Sequence, residues 1–187
     1  MGTGAIVGIV IAAVVVLILL WGVATYNSLV KSRTRCEEGF STMDVYLKKR
    51  FDLIPNVVAT VKGYAKHEAE TLEKVIAARN SGANQSIDQR VKDENQISGA
   101  LRQIFALSES YPELKANTNF LSLQNQLGDL EREIADSRKY YNGCVKIFNN
   151  KVQTVPSNII AGLFHFEKMS MFVVDDPSER KNVKVEF

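Results

Sequence analysis

An all-α fold is predicted: an N-terminal transmembrane helix, then an elongated antiparallel helical bundle of the four-helix type, then a short extended C-terminal tail. Three observations predict it. No charged side chain occurs from Gly2 to Val30. Beyond that segment, apolar residues recur at steps of three and four over long stretches, the period of one helix face. Only four prolines, Pro55, Pro112, Pro156 and Pro177, interrupt 187 residues, too few breakers for a many-turned β fold. The expected organisation is a short exterior N-terminus and membrane helix over 1–30, a cytoplasmic bundle over 31–156, and a short helix with an extended tail over 157–187.

The membrane helix is centred on Ala5–Ala24, AIVGIVIAAVVVLILLWGVA, which matches the ~20 apolar residues that cross a bilayer as a helix. Ala5, Gly8, Ala12, Leu17 and Trp21 mark its course, and Trp21 and Tyr26 fall where aromatic rings favour the headgroup zone. A cleaved signal peptide fits less well, since there is no basic leader, the apolar run is too long and no A-x-A site follows. Lipidation fails because Ile6 stands where myristoylation wants Ser or Thr. Lys31, Arg33 and Arg35, followed by Lys48, Lys49 and Arg50, lie behind the span and no Lys or Arg lies ahead of it. Basic residues stay cytoplasmic, so the N-terminus is expected outside and the bundle inside. Cys36 and Cys144 then behave as reduced, small apolar side chains; with no CxxC spacing they make no metal site. Gly4 and Gly8 form a GxxxG pair that can bring two membrane helices together.

The first soluble stripe is Phe40, Met43, Leu47, Phe51, Ile54, Val58, Val61, Ala65, Ala69, Leu72 and Ile76. It keeps phase through Pro55, which favours one Pro-kinked helix reaching about Asn80 over a break capped by Asp52. Residues 81–86 read as a loop, with Ser86 and Gln89 placed for a capping box. The next helix runs to about Ser110 with Ile87, Val91, Ile97, Leu101, Ile104 and Leu107 inward, and Tyr111-Pro112 ends it. The last long helix starts near Thr118 and stops at Pro156; Phe120, Leu123, Leu127, Leu130, Ile134, Tyr141, Val145, Phe148, Val152 and Val155 form its stripe. The average step near 3.5 is that of long helices packed at shallow angles. After a short helix from Ser157 to Phe164, the runs 169–174 and 183–187 look extended. Phe164, Phe166 and Phe172 are candidate interaction residues: they either fold back onto the bundle or dock on a neighbouring subunit.

Reactive chemistry is not expected. His67-Glu68 lacks the second histidine of a zinc-protease helix and reads as a surface pair. No phosphate loop, nucleophile elbow or inward Glu-x-x-His pair occurs, so no catalytic residue, cofactor or metal is expected. Asp129, Glu131, Glu133 and Asp136 interleave with Arg132, Arg138 and Lys139 as solvated i,i+3 and i,i+4 pairs. Lys48-Lys49-Arg50 would stand roughly 25–30 Å past the bilayer by helix rise, where salt screens lipid attraction. Arg50 is therefore expected to pair with Asp52 or with a facing helix. A formal charge of +2 gives no pull toward nucleic acid.

Several long motifs stand at characteristic intervals: 26–30 (YNSLV), 44–58 (DVYLKKRFDLIPNVV), 61–64 (VKGY), His67-Glu68, Ala78-Arg79, 111–117 (YPELKAN) through Phe120, and Tyr141-Asn142. By these residues the chain resembles the LemA family over nearly its whole length, which implies a bacterial cytoplasmic (inner) membrane as its location. Family members usually carry Arg at the position of Lys49, and Phe-Gly-Phe where this chain has Phe164-His165-Phe166; the latter puts a glycine-dependent turn in doubt here. The resemblance implies a single-pass membrane protein with a four-helix bundle inside, no established activity, and gene neighbours that include HtpX-like membrane metalloproteases. Two functional classes remain: a self-assembling scaffold or adaptor, contacting lipid, further copies of itself and a membrane protease or other membrane protein; or a sensor that feeds a signal across the membrane.

Overall fold

The computed structural model describes residues 2–65, 68, 72–73, 75–76 and 87–173. Among the described residues the helices with defined bounds are, in order, α1 Thr3–Tyr64, α2 Ile87–Ser108, α3 Pro112–Lys115, α4 Thr118–Gln153 and α5 Ser157–Leu163. No strand occurs among the described residues. The chain forms two compact units: residues up to Phe40 with Lys139–Met171, and Ser41–Arg138 with the chain from Phe172.

Helix α1 passes through Pro55 without a break, as its unbroken apolar phase predicts. It stops at Tyr64, short of the expected Asn80. A turn in which the Glu68 N–H donates to the Ala65 carbonyl follows, and the Leu72 N–H then donates to Glu68. Continuing straight, α1 would carry Leu72 about 16 Å beyond Val61. With the turn, Leu72 and Val75 bury in the same cluster as Val57, Val58 and Val61. Ser86 and Gln89, the expected capping box, lie outside the residues whose side chains are described.

In the second unit that cluster also takes Ile97, Leu101 and Ile104 from α2, Leu114 from α3, and Phe120 and Leu127 from α4. The short α3, where only a stop was expected, inserts Leu114 fully into it. Asn117 caps α4, its Oδ1 accepting from the Phe120 N–H at 2.9 Å, and its Nδ2 donates to the Tyr64 hydroxyl at 2.9 Å. On α4 the buried residues Phe120, Leu127, Ile134, Tyr141 and Phe148 recur every seven positions. On α1 the same interval gives Leu29, Cys36, Met43, Arg50 and Val57. Arg50, not Phe51, therefore occupies the seam, a correction to the expected stripe.

In the first unit α1 and α4 run antiparallel. A Cβ on Gly39 would come within 3.4 Å of the Tyr141 Cα, and Phe40 and Tyr141 rings lie 5.7 Å apart. Glycine is what permits this approach. After α4, a cis Val155–Pro156 bond leads into α5. The last turn of α5 closes as a Schellman motif: the Phe166 N–H donates to the Ala161 carbonyl and the His165 N–H to Gly162. His165 takes the left-handed conformation, φ 57°, so the turn put in doubt by the absence of glycine forms without one. That conformation costs a Cβ-bearing residue about 1–2 kcal/mol, partly offset by the higher unfolded-state entropy of glycine. His165→Gly is accordingly expected to stabilise the chain by about 0.5–1 kcal/mol, read as a raised melting temperature in detergent; a lowered one would show that the imidazole makes a compensating contact.

The described tail, Phe164–Val173, is irregular. Asn149 holds it, donating through Nδ2 to the Met169 carbonyl and accepting the Met169 N–H, each at 2.9 Å, while the Tyr141 hydroxyl donates to Ser170 O. The second extended run, 183–187, lies outside the described residues.

Candidate functional site

Two places combine polar chemistry with burial. In the second unit, the seven-residue phase of α1 drives Arg50 into the seam, 2% exposed. Its Nη1 donates to Ser98 Oγ on α2 at 2.9 Å and to Glu131 Oε1 on α4, and its Nη2 faces Glu94 Oε2 on α2. A guanidinium suits this place because its planar fork addresses two helices at once. Its Nε stays buried with no acceptor, so the site is not fully compensated. A cleft of about 500 Å³ opens beside it, walled by Leu101, Phe105, Leu127, Ile134 and Phe172.

Such an arrangement fixes register. If α4 slid by one heptad, Arg50 would meet Gln124 or Arg138 in place of Glu131, leaving it with a neutral amide or a like charge. Of the two partners foreseen for Arg50, the facing helices are those realised; Asp52 points to solvent. Glu131 thus pairs with another helix while staying part-exposed, whereas Arg132 and Asp129 do form the exposed i,i+3 pair. The basic triplet is not one patch either, since Lys48 and Lys49 stay exposed and Lys49 Nζ sits 5.5 Å above the Tyr46 ring. The pairing of Arg50 with a facing helix is as expected; its burial in the seam follows from a seven-residue spacing from Leu29, which the stripe of threes and fours from Phe40 does not include.

The second place is where α1 leaves its apolar segment. Residues 2–21 at the start of α1 are all exposed, Ala5, Gly8, Ala12, Leu17 and Trp21 among them, and the segment is long and apolar enough to cross a membrane. A Cβ at Gly4 or Gly8 would meet nothing within 4 Å, so that face is open. Just beyond, Lys151 of α4 donates to Ser28 Oγ at 2.8 Å and Ser32 Oγ at 2.7 Å. The Phe164 ring lies tilted against Tyr26 at 4.6 Å, Phe166 meets Tyr26 edge-on at 5.8 Å, and Phe166 also meets Phe148 edge-on at 6.3 Å. Phe172 is buried. The candidate interaction residues of the tail thus part ways, with Phe164 keeping an exposed edge. Glu68 accepts from the Tyr111 hydroxyl at 3.4 Å, and His67 lies outside the described residues. Among the described residues no three His, Cys, Asp or Glu side chains gather as a metal site would require.

Cys36 is buried and its Sγ donates to the Ser32 carbonyl at 3.2 Å. Desolvation, with smaller contributions from Cys144 and Glu37, pushes its thiol from 9.0 up to about 11. The unfolded chain then loses this proton at lower pH than the folded one, so stability falls as pH rises through the window from about 9 to 11. Melting temperatures recorded across that window should decline, and Cys36→Ala should flatten the decline. An unchanged slope in Cys36→Ala would assign the effect to other groups, Tyr141 first, which burial raises to about 12.

Fold and sites together define a helical-bundle protein with a candidate membrane-spanning helix and an internally neutralised arginine. Residues 39–187 match the LemA family, and the chain belongs to that family. It is 27% identical over 151 residues to "Protein LemA" of Metamycoplasma hominis, an alignment covering 78% of this chain and 68% of that protein.

Proposed function

We propose that this protein is a non-enzymatic scaffold, anchored by a single span with its N-terminus outside and its bundle on the cytoplasmic face of a bacterial inner membrane. There it self-assembles and organises or regulates membrane partners, of which an HtpX-like protease is one. The observation that carries this reading is an apolar surface left uncovered along the start of α1, on a helix that continues unbroken into the bundle. The open Gly4/Gly8 face supports close contact between anchors. Confinement to a plane raises effective concentration without new contacts. Lys31, Arg33 and Arg35 behind the span support the orientation.

Crosslinking in native membranes tests the scaffold. A ladder of self-adducts is expected; monomers alone, both there and by light scattering in mild detergent, would overturn it. The continuity of α1 from span to core also favours a second reading, a sensor passing bundle state along that helix. One distinct heterologous adduct without a ladder would favour it. Orientation is tested in a Cys36→Ala/Cys144→Ala background with an impermeant thiol probe on intact cells: Thr3→Cys should label and Ser178→Cys should not.

A further inference from the structure

We infer that α5 is a second membrane contact: a foot that lies in the headgroup–acyl boundary of the leaflet where the span ends. This rests on the membrane-anchored reading and adds to it a lipid-binding surface outside the span.

Depth comes first. The Ile160 Cδ1 atom lies 3.7 Å from where a Cβ on Gly22 would sit, and Ala161 beside it is buried. Gly22 belongs to the apolar segment Ala5–Ala24, one residue after Trp21. Helix α5 therefore rests on the last turns of the span rather than on the bundle beyond it. The Lys151 amine, tied to Ser28 and Ser32, marks the polar side of this level.

Composition comes second. From Val152 to Phe166 there is no Lys, Arg, Asp or Glu, and the charges resume only at Glu167 and Lys168. With Ile160 and Ala161 turned to α1, the outer residues are apolar as well: Ile159 is 64% exposed, Leu163 67% and Val155 79%. The Phe164 ring, tilted against Tyr26, remains half exposed. The face of this short helix that carries Ile159 and Leu163 is thus apolar and uncovered by protein, while Ser157 and Asn158 are half-buried at its start. Aliphatic side chains grouped in this way call for an apolar neighbour. At the height of Gly22–Tyr26 the neighbour that surrounds the span on every other side is lipid. Continuity with the span therefore chooses lipid over a second copy as the occupant. Aromatic rings at Trp21, Tyr26 and Phe164 suit the same zone, since they combine apolar bodies with tolerance of the headgroup field.

The test uses the full chain, with Cys36→Ala and Cys144→Ala, reconstituted in phosphatidylcholine–phosphatidylglycerol vesicles. Ile159→Cys and Leu163→Cys variants carry a polarity-sensitive fluorophore, and lipids brominated at defined acyl positions act as quenchers. Trp21 is the only tryptophan, so its own fluorescence reports insertion of the span independently. The expected result is quenching of both labels at a depth of about 5–10 Å below the headgroups, alongside quenching of Trp21. Quenched Trp21 with unquenched, red-emitting labels would place α5 in water and overturn the foot while leaving the anchor intact. Blue-shifted but unquenched labels would mean that protein covers the face, which also overturns it. An unquenched Trp21 would instead sink the anchored reading itself.

Discussion

Leu127→Asp is expected to abolish folding of the unit built on Ser41–Arg138. Leu127 is fully buried on α4, in the cluster that also holds Val61, Ile104 and Phe120. Removing the isobutyl group forfeits about 2–5 kcal/mol, and the carboxylate that replaces it is desolvated in the apolar cluster, with Arg50 across the adjoining cleft already engaged by Glu94 and Glu131. Together these reach about 5 kcal/mol or more, as large as the whole stability of many domains. Far-UV circular dichroism and a thermal melt of the full chain in detergent should show lost helicity and no cooperative transition from this unit. Leu121→Asp is the control: Leu121 is exposed on the same helix, and its replacement should change stability by only about 0.5 kcal/mol. If Leu127→Asp melts like the parent chain, the seam has been assigned to the wrong face of α4.

Arg50→Ala should cost about 3 kcal/mol, the lower end for breaking a buried ion pair. The lower end applies because the two carboxylates left behind differ in their access to water. The Glu94 side chain is 17% exposed and suffers most, whereas Glu131 at 45% recovers much of its hydration. Glu131→Gln alone should therefore cost no more than about 1 kcal/mol. Arg50→Lys should restore only part of the loss, since one ammonium cannot reach Ser98, Glu94 and Glu131 as the fork does. The double variant Arg50→Met/Glu94→Leu separates stability from specificity. It should regain most of the lost free energy, because apolar replacement of a buried pair is often neutral or better. If register is what Arg50 secures, that variant should nonetheless show heterogeneous helix pairing, seen as altered crosslinks between cysteines placed on α1 and α4. Unaltered crosslinks would show that the apolar seam alone sets the register.

Much of the fold is legible locally. Twenty apolar residues in a row suffice to cross a bilayer whatever follows them, and this stretch stands uncovered in the structure. The start of α4 at Thr118, its length and its buried face follow from Asn117 as a cap and from a seven-residue period sustained over four heptads. The unbroken passage of α1 through Pro55 follows from apolar phase kept on both sides of it. Each of these depends on residues within a few turns of one another, so periodicity and capping carry the information.

Other features depend on partners distant in the chain, and only the tertiary structure decided them. Local pattern cannot end α1 at Tyr64, because what rewards the turn after it is burial of Leu72 and Val75 against α2 and α4. It cannot separate Arg50 from Lys48 and Lys49, three basic residues in a row, until Glu94 and Glu131 are brought to one of them from two other helices. Nor can it set the left-handed turn at His165, where the carbonyls of Ala161 and Gly162 outweigh the preference of a Cβ-bearing residue. The same holds for α5. Its composition permits a surface helix anywhere, and contact between Ile160 and Gly22, residues 138 positions apart, puts its apolar face beside the span. Sequence determined the long helices and the apolar segment at the start of α1, since those are set by short-range hydrogen bonding and apolar periodicity; tertiary packing decided where α1 ends, which charge is buried and which apolar face is left uncovered, since burial is a property of neighbours that the chain meets only when folded.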